Sequence, residues 1–192
     1  MANADAAFGL RPVRFSSGAV YNGAAQTFYV PASDSTAIYV GGLVKFAGSA
    51  DANGIPSVTG DITTADVVAG VVVAVDAVTA DSTTYRAAST ERYVKVATDP
   101  GLIFHVQEDS VGGALAAANV GNAADLTGFS AGSTTSGRST IEIDSSTAAA
   151  PGTNEDVLIL GLAQIAGNEI GANAVWEVRL LNHFYSGDVV GV

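Results

Sequence analysis

The sequence predicts an all-β protein: a single β-barrel or β-sandwich domain, a jelly roll among its forms, with an extended N-terminal arm and at most one short helix. Three observations predict it. Apolar residues make up 48% of the 192 residues, and the supply is mainly Val and Ala; β-branched Val suits a pleated, half-buried surface. The residues that fill long helix faces, Leu, Glu, Lys and Gln, are scarce. Twenty-two glycines, together with many Ser, Thr and Asp residues, cut the chain into short apolar runs separated by turn signals.

Taken in order, residues 1–24 read as the arm. Gly9, Pro12, Gly18, Asn22 and Gly23 interrupt any period there. Arg11 and Arg14 against Asp5 give the arm a net charge of +1, whereas the remaining 168 residues carry −12. Stretched out, 24 residues reach up to ~80 Å. The body, residues 25–192, then reads as strand after strand. Gln26–Val30 is β-rich and is stopped by Pro31. Thr36–Val40 and Leu43–Gly48 flank Gly41-Gly42 as a hairpin would. Asp51–Gly54 and Thr59–Asp61 are turns. The aliphatic run Val67–Val75 reads as a buried strand, and Thr83–Ala88, Arg92–Ala97 and Leu102–Glu108 follow as further strands. Residues 109–122 hold the best helix candidate, with Asp109 or Ser110 to cap it and Gly121 or Asn122 to end it. Residues 127–153 are Gly/Ser/Thr-rich loops around one alternating strand, Ile141–Ile143. Two strand-like stretches, Asp156–Gly167 and Ala174–Tyr185, complete the body.

Composition narrows the function. A net charge of −11 with only two lysines and six arginines argues against nucleic-acid binding, which needs clustered cations over phosphates. No cysteine is present, which rules out disulfides, thiolate metal ligands and a thiol nucleophile. Val67–Val75 is about half the length of a membrane-spanning helix, and the first residues carry Asp5 rather than a basic region before an apolar stretch. Neither a membrane span nor a secretory signal is expected.

The chemical motifs are weak when read in context. Gly128-Phe129-Ser130-Ala131-Gly132 matches the serine-hydrolase elbow, but that elbow works between a buried strand and a helix, and neither flanks it here. His105 and His183 stand far apart, with no local nucleophile or orienting carboxylate. Asp51-Ala52-Asn53-Gly54 opens like a calcium loop but lacks the distal ligands, and reads as a turn. The acid pairs Glu108-Asp109 and Glu155-Asp156 read as caps. Gly41-Gly42 and Gly112-Gly113 lack the spacing that cradles phosphate. No enzyme, metal site or cofactor is expected. Attention shifts to the arm, where buried aromatics and arginines are the residue types that anchor protein interfaces. Phe8, Leu10 and Phe15 offer apolar burial, Arg11 and Arg14 offer pairing, and Pro12 adds stiffness. Docking of Phe8, Leu10 and Phe15 on the protein's own body is the competing expectation.

Four segments carry a family resemblance: Ala7–Arg14 (AFGLRPVR), Val30–Gly48, Thr98–Asp109 and Val175–Tyr185. In style and order they resemble the capsid decoration, or cement, proteins of tailed bacteriophages. The resemblance implies a β-rich domain on the outside of the virion head, assembled in the cytoplasm of a bacterial host. It would bridge neighbouring copies of the major capsid protein as a homo-oligomer, a trimer in preference to a dimer. The competing function is a virion-surface receptor- or glycan-binding module, using exposed aromatics and loop carboxylates on a similar β scaffold.

Overall fold

In the computed structural model, which describes residues 3–152 and 154–186, almost all regular structure is β. Twelve strands form: β1 Arg11–Phe15, β2 Gln26–Val30, β3 Leu43–Ala50, β4 Pro56–Thr59, β5 Gly70–Val75, β6 Arg92–Ala97, β7 Leu102–Gln107, β8 Ala123–Ala124, β9 Leu126–Thr127, β10 Glu142–Ile143, β11 Val157–Leu162 and β12 Val175–Leu180. Strands β2-β4-β3-β5-β6 close into a barrel. The closing pair is parallel, with Tyr29 opposite Ser57, whereas the other four pairs are antiparallel. The all-β expectation holds, and this closure makes the body a barrel instead of a jelly roll. A second sheet, ordered β1-β7-β12-β11-β8, packs against it, and β9 pairs with β10 in a small ribbon.

Strand alternation explains how one chain builds two layers. Successive side chains on a strand face opposite sides. In β3 and β5, Val44 and Val72 join the barrel interior with Phe28, Val30, Val58, Val94 and Val96. Their neighbours Leu43 and Val71 point the other way, into a larger core with Leu102, Phe104, Val106, Trp176 and Val178 from the second sheet. Barrel wall and sheet therefore share one apolar interlayer. Trp176, fully buried, is a core residue.

The arm is part of this body. Leu10 is 1% exposed and packs in the larger core. Its amide donates to the Gly41 carbonyl at 2.9 Å, and β1 pairs antiparallel with β7 as the edge of the second sheet. Gly9 allows the close approach: its φ is +72°, and a Cβ there would sit 2.6 Å from the Gly41 carbonyl oxygen. Further out, Gln107 receives the Ala6 amide and donates to the Ala4 carbonyl, while Asn3 is bonded to Glu169 and Ala172 of the β11–β12 connection. Residues 3–15 thus form no unit separate from 25–192. Edge pairing and burial of Leu10 outweigh the freedom of an extended arm.

Three expected elements take another form. Residues 109–122 are not a helix. Ser110, Gly112 and Gly113 all have positive φ, and the Glu108 carboxylate captures the Leu115 amide at 2.6 Å, leaving one 3₁₀ turn at Ala117–Asn119. Thr36–Val40 and Thr83–Ala88 make single bridges, Ile38 to Arg86 and Val40 to Arg138, instead of strands. Within the second of these segments lies Arg86, whose side chain is fully buried. Its Nε donates to Thr90 O at 2.7 Å, Nη1 to Thr36 O at 2.5 Å, and Nη2 to Pro31 O and Asp34 O at 2.8 and 2.7 Å. One side chain thus ties together the carbonyls of residues 31, 34, 36 and 90.

Three outcomes are expected. Leu10→Ala lowers unfolding stability by about 2–5 kcal/mol in urea titration, and removal of residues 1–20 abolishes or severely weakens cooperative melting. A truncated chain that melts at the full-length midpoint would show that the arm adds nothing to the fold. Arg86→Lys costs about 3 kcal/mol or more, because one ammonium cannot span the four carbonyls that the planar fork reaches.

Candidate functional site

Folding divides the six arm residues into two groups. Leu10 and Phe15 turn inward, Leu10 into the core and Phe15 against it and against Tyr21, with ring centroids 6.3 Å apart. Arg14 is also committed, since its Nη2 lies 2.6 Å from Glu177 Oε2 on β12. Phe8, Arg11 and Pro12 remain at the surface, lining a groove of about 260 Å³ between the arm and the barrel wall. Tyr21, Val40, Val72, Val73 and Arg138 also line the groove.

Each wall has a local cause. Phe8 is half-buried, and the Arg11 guanidinium lies 5.3 Å from its ring centroid, a cation–π geometry that holds the charge out over the groove. Arg138 is carried by the Ser133–Ser139 loop, where Ser133 N donates to Arg138 O at 2.8 Å and Ser139 N to Val40 O at 2.8 Å. Arg11 and Arg138 are exposed, and neither guanidinium has a carboxylate partner among the described residues. On a chain of net charge −11, two unpaired cations beside an apolar floor form a locally inverted surface. The sequence reading found Arg11 but missed Arg138. Its only signal was a single cation in a run of Ser, Thr and Gly, and strand bridging across about 100 residues was needed to bring it to Arg11.

Under β1 lies a polar relay on the outer face of the sheet. His105 on β7 stands opposite Arg11 of β1 on one side and Glu177 of β12 on the other. Its Nε2 lies 3.5 Å from Glu177 Oε1. Burial, more than any other effect, pushes the His105 pKa down, against the upward pull of Glu177, so the imidazole is neutral at pH 7. Burial also pushes the Glu177 carboxyl up, but the contacts with Arg14 and His105 together outweigh it and hold it below the usual range. These contacts tie β1 and β7 to β12 through Glu177.

The remaining motif residues make local contacts. Ser130 sits exposed in a tight turn closed by Ala131 N to Gly128 O at 2.9 Å, with neither histidine bonded to it. His183 is buried and accepts the Tyr185 amide through Nδ1 at 3.2 Å. Asp51 accepts the Asn53 and Ile55 amides, each at 2.8 Å, and the Tyr93 hydroxyl at 2.6 Å, as a hairpin turn requires. Asp109 bonds Val111 and Ser145, and Asp156 bonds Ala65 and Leu126, so both serve the backbone. Among the described residues no three histidines or carboxylates gather to hold a metal ion, and no helix is long and apolar enough to cross a membrane. No protein family, curated protein or solved structure matches this chain.

Glu142 gives a pH test. Burial first, then the charges of Asp5 on the arm and Asp109, push its carboxyl up to about 7 from 4.5. The folded state therefore holds this proton more tightly than the unfolded chain, and the site costs stability as pH rises from about 4.5 to about 7. Glu142→Gln is expected to raise the melting midpoint at pH 8 and to leave it unchanged at pH 4. Equal midpoints at pH 8 would exclude the effect.

Proposed function

We propose that this protein is a structural component of a phage virion, not an enzyme. It decorates the outer surface of the head and stabilises it by bridging neighbouring major capsid subunits. The observation that carries the reading is the groove of Phe8, Arg11, Pro12 and Arg138, an apolar floor between two unpaired guanidiniums on an otherwise acidic protein. Such a surface suits a carboxylate-bearing, partly apolar segment of a partner protein, since guanidinium–carboxylate pairs combine charge with directed hydrogen bonds. The family resemblance of Ala7–Arg14 supports the same reading, because these residues form one wall of the groove.

The mechanism is additive contact. Every copy contributes a modest buried area and one or two ion pairs, and a homo-oligomer, with a trimer favoured, engages several capsid subunits at once. The second and third contacts then form at high effective concentration. A docked arm helps, because a rigid contact surface loses less entropy on binding than a free tail would. Assembly would take place in the bacterial cytoplasm, with the protein ending on the outer face of the head.

Purified protein mixed with heads lacking it should co-sediment with them, less so as salt rises, since the pairs are exposed to screening. The Arg11→Glu/Arg138→Glu double variant is expected to keep its melting midpoint and bind heads at least ten-fold more weakly, at about 1.5–3 kcal/mol per charged hydrogen bond lost. Wild-type protein that leaves heads bare would overturn the proposal.

A further inference from the structure

A second concave surface opens at the C-terminal end of β1. Its volume is about 410 Å³, within the range of small-ligand sites. Three aromatic side chains, Phe15, Tyr21 and Tyr185, line it together with Pro100, Leu102 and Asp99. Asp99 is exposed and is the only charged residue in the lining. We propose that this pocket binds an organic cation of the alkylammonium class.

Separate segments supply the walls. Phe15 ends β1 and packs against the larger core. The chain then folds back, with Phe15 N donating to Ala19 O at 2.7 Å and Arg14 bridging Val20. This return sets the Tyr21 ring 6.3 Å from Phe15 at an interplanar angle of 53°, and the Tyr21 hydroxyl donates to Ala24 O at 2.9 Å. Tyr185 comes from the 3₁₀ turn Phe184–Ser186, where its ring packs 5.5 Å from Phe184 and stays 42% exposed. Asp99 stands in the turn before β7, which is tied to β1 by Ser16 N donating to Gly101 O at 2.7 Å. Its Oδ1 accepts the Gly101 amide at 2.7 Å, leaving Oδ2 to meet a ligand.

These groups share one preference. The face of an aromatic ring is the negative part of its quadrupole and attracts a cation, and the Asp99 carboxylate adds a full charge. No Lys or Arg in the lining opposes them. His183, with its ring 5.9 Å from that of Tyr185, is buried, and burial pushes its pKa down against the pull of Asp99, so it is neutral at pH 7. An anion would meet Asp99 with no compensating charge. A metal ion needs several oxygen ligands at once, and one carboxylate among rings supplies too few. A cation with an apolar coat suits both kinds of wall: its charge faces Asp99, and its methyl or methylene groups meet the rings, Pro100 and Leu102. The arginine-flanked groove shares Tyr21 but carries the opposite charge, so the two surfaces select different partners, and this inference does not rest on head binding.

The test is nuclear magnetic resonance titration of the full chain with two cations, choline and Nα-acetyl-lysine amide. The first stands for a free or headgroup ammonium and the second for a partner protein's side chain, so the tighter of the two names the source. The expected result is saturable amide shifts at residues 15, 21–26, 98–102 and 185 with at least one of them. The neutral alcohol in which carbon replaces the choline nitrogen should bind about three-fold or more weakly than choline. Asp99→Asn keeps the acceptor for Gly101 and should leave the melting midpoint unchanged. Both it and Tyr185→Leu should weaken cation binding about three-fold or more. Absence of saturable shifts from both cations would overturn the proposal. So would shifts confined to another surface, equal binding of the neutral alcohol, or wild-type affinity in either variant.

Discussion

Leu43 and Val71 face one core while Val44 and Val72, their sequence neighbours, face another, and the architecture depends on this shared wall. A strand with one wet face tolerates polar residues at every second position, whereas a strand buried on both faces tolerates none. That demand accounts for the uninterrupted aliphatic character of Gly70–Val73, of which none is exposed. The cross-strand register carries the demand across the barrel. Leu43 lies opposite Val71, and Val71 opposite Ala97, so three strands present one continuous apolar row to the second sheet. The barrel and the sheet cannot be separated without exposing that row.

The second sheet has an edge to protect, and the N-terminal segment protects it. Without β1, strand β7 would present its free amides and carbonyls beside a core that holds Leu102, Phe104 and Val106, which invites edge-to-edge association. Covering that edge determines which arm residues face solvent. Leu10, Arg14 and Phe15 are drawn inward, and Phe8, Arg11 and Pro12 are left beside Arg138. The groove is thus a by-product of covering that edge, and its two cations have no carboxylate partner among the described residues.

Polar burial follows the same logic. Arg86 is a cation enclosed in the protein, and it is tolerated because its donors meet four loop carbonyls and its charge lies 3.6 Å from the Asp34 carboxylate. Its position fixes residues 31–36. Glu108, also buried, plays a similar part: its carboxylate holds the Leu115 amide at 2.6 Å.

The all-β class, the body strands at 26–30, 43–48, 92–97 and 102–107, and the turn at Asp51–Gly54 were legible in the sequence, because alternation, Pro31 and the Asp-Asn-Gly turn act over a few residues. What only the tertiary structure decided rests on distant pairing: the parallel closure of β2 with β4, the docking of the arm on β7, the meeting of Arg11 with Arg138, and the capture of four carbonyls by Arg86. The helix expected at 109–122 failed for local reasons: Ser110, Gly112 and Gly113 take positive φ, and Glu108, next to the segment, holds the Leu115 amide. Sequence determines which faces must be buried. Which surfaces then remain free depends on the partners that the fold brings from far along the chain, and the residues themselves carry no local mark of those partners.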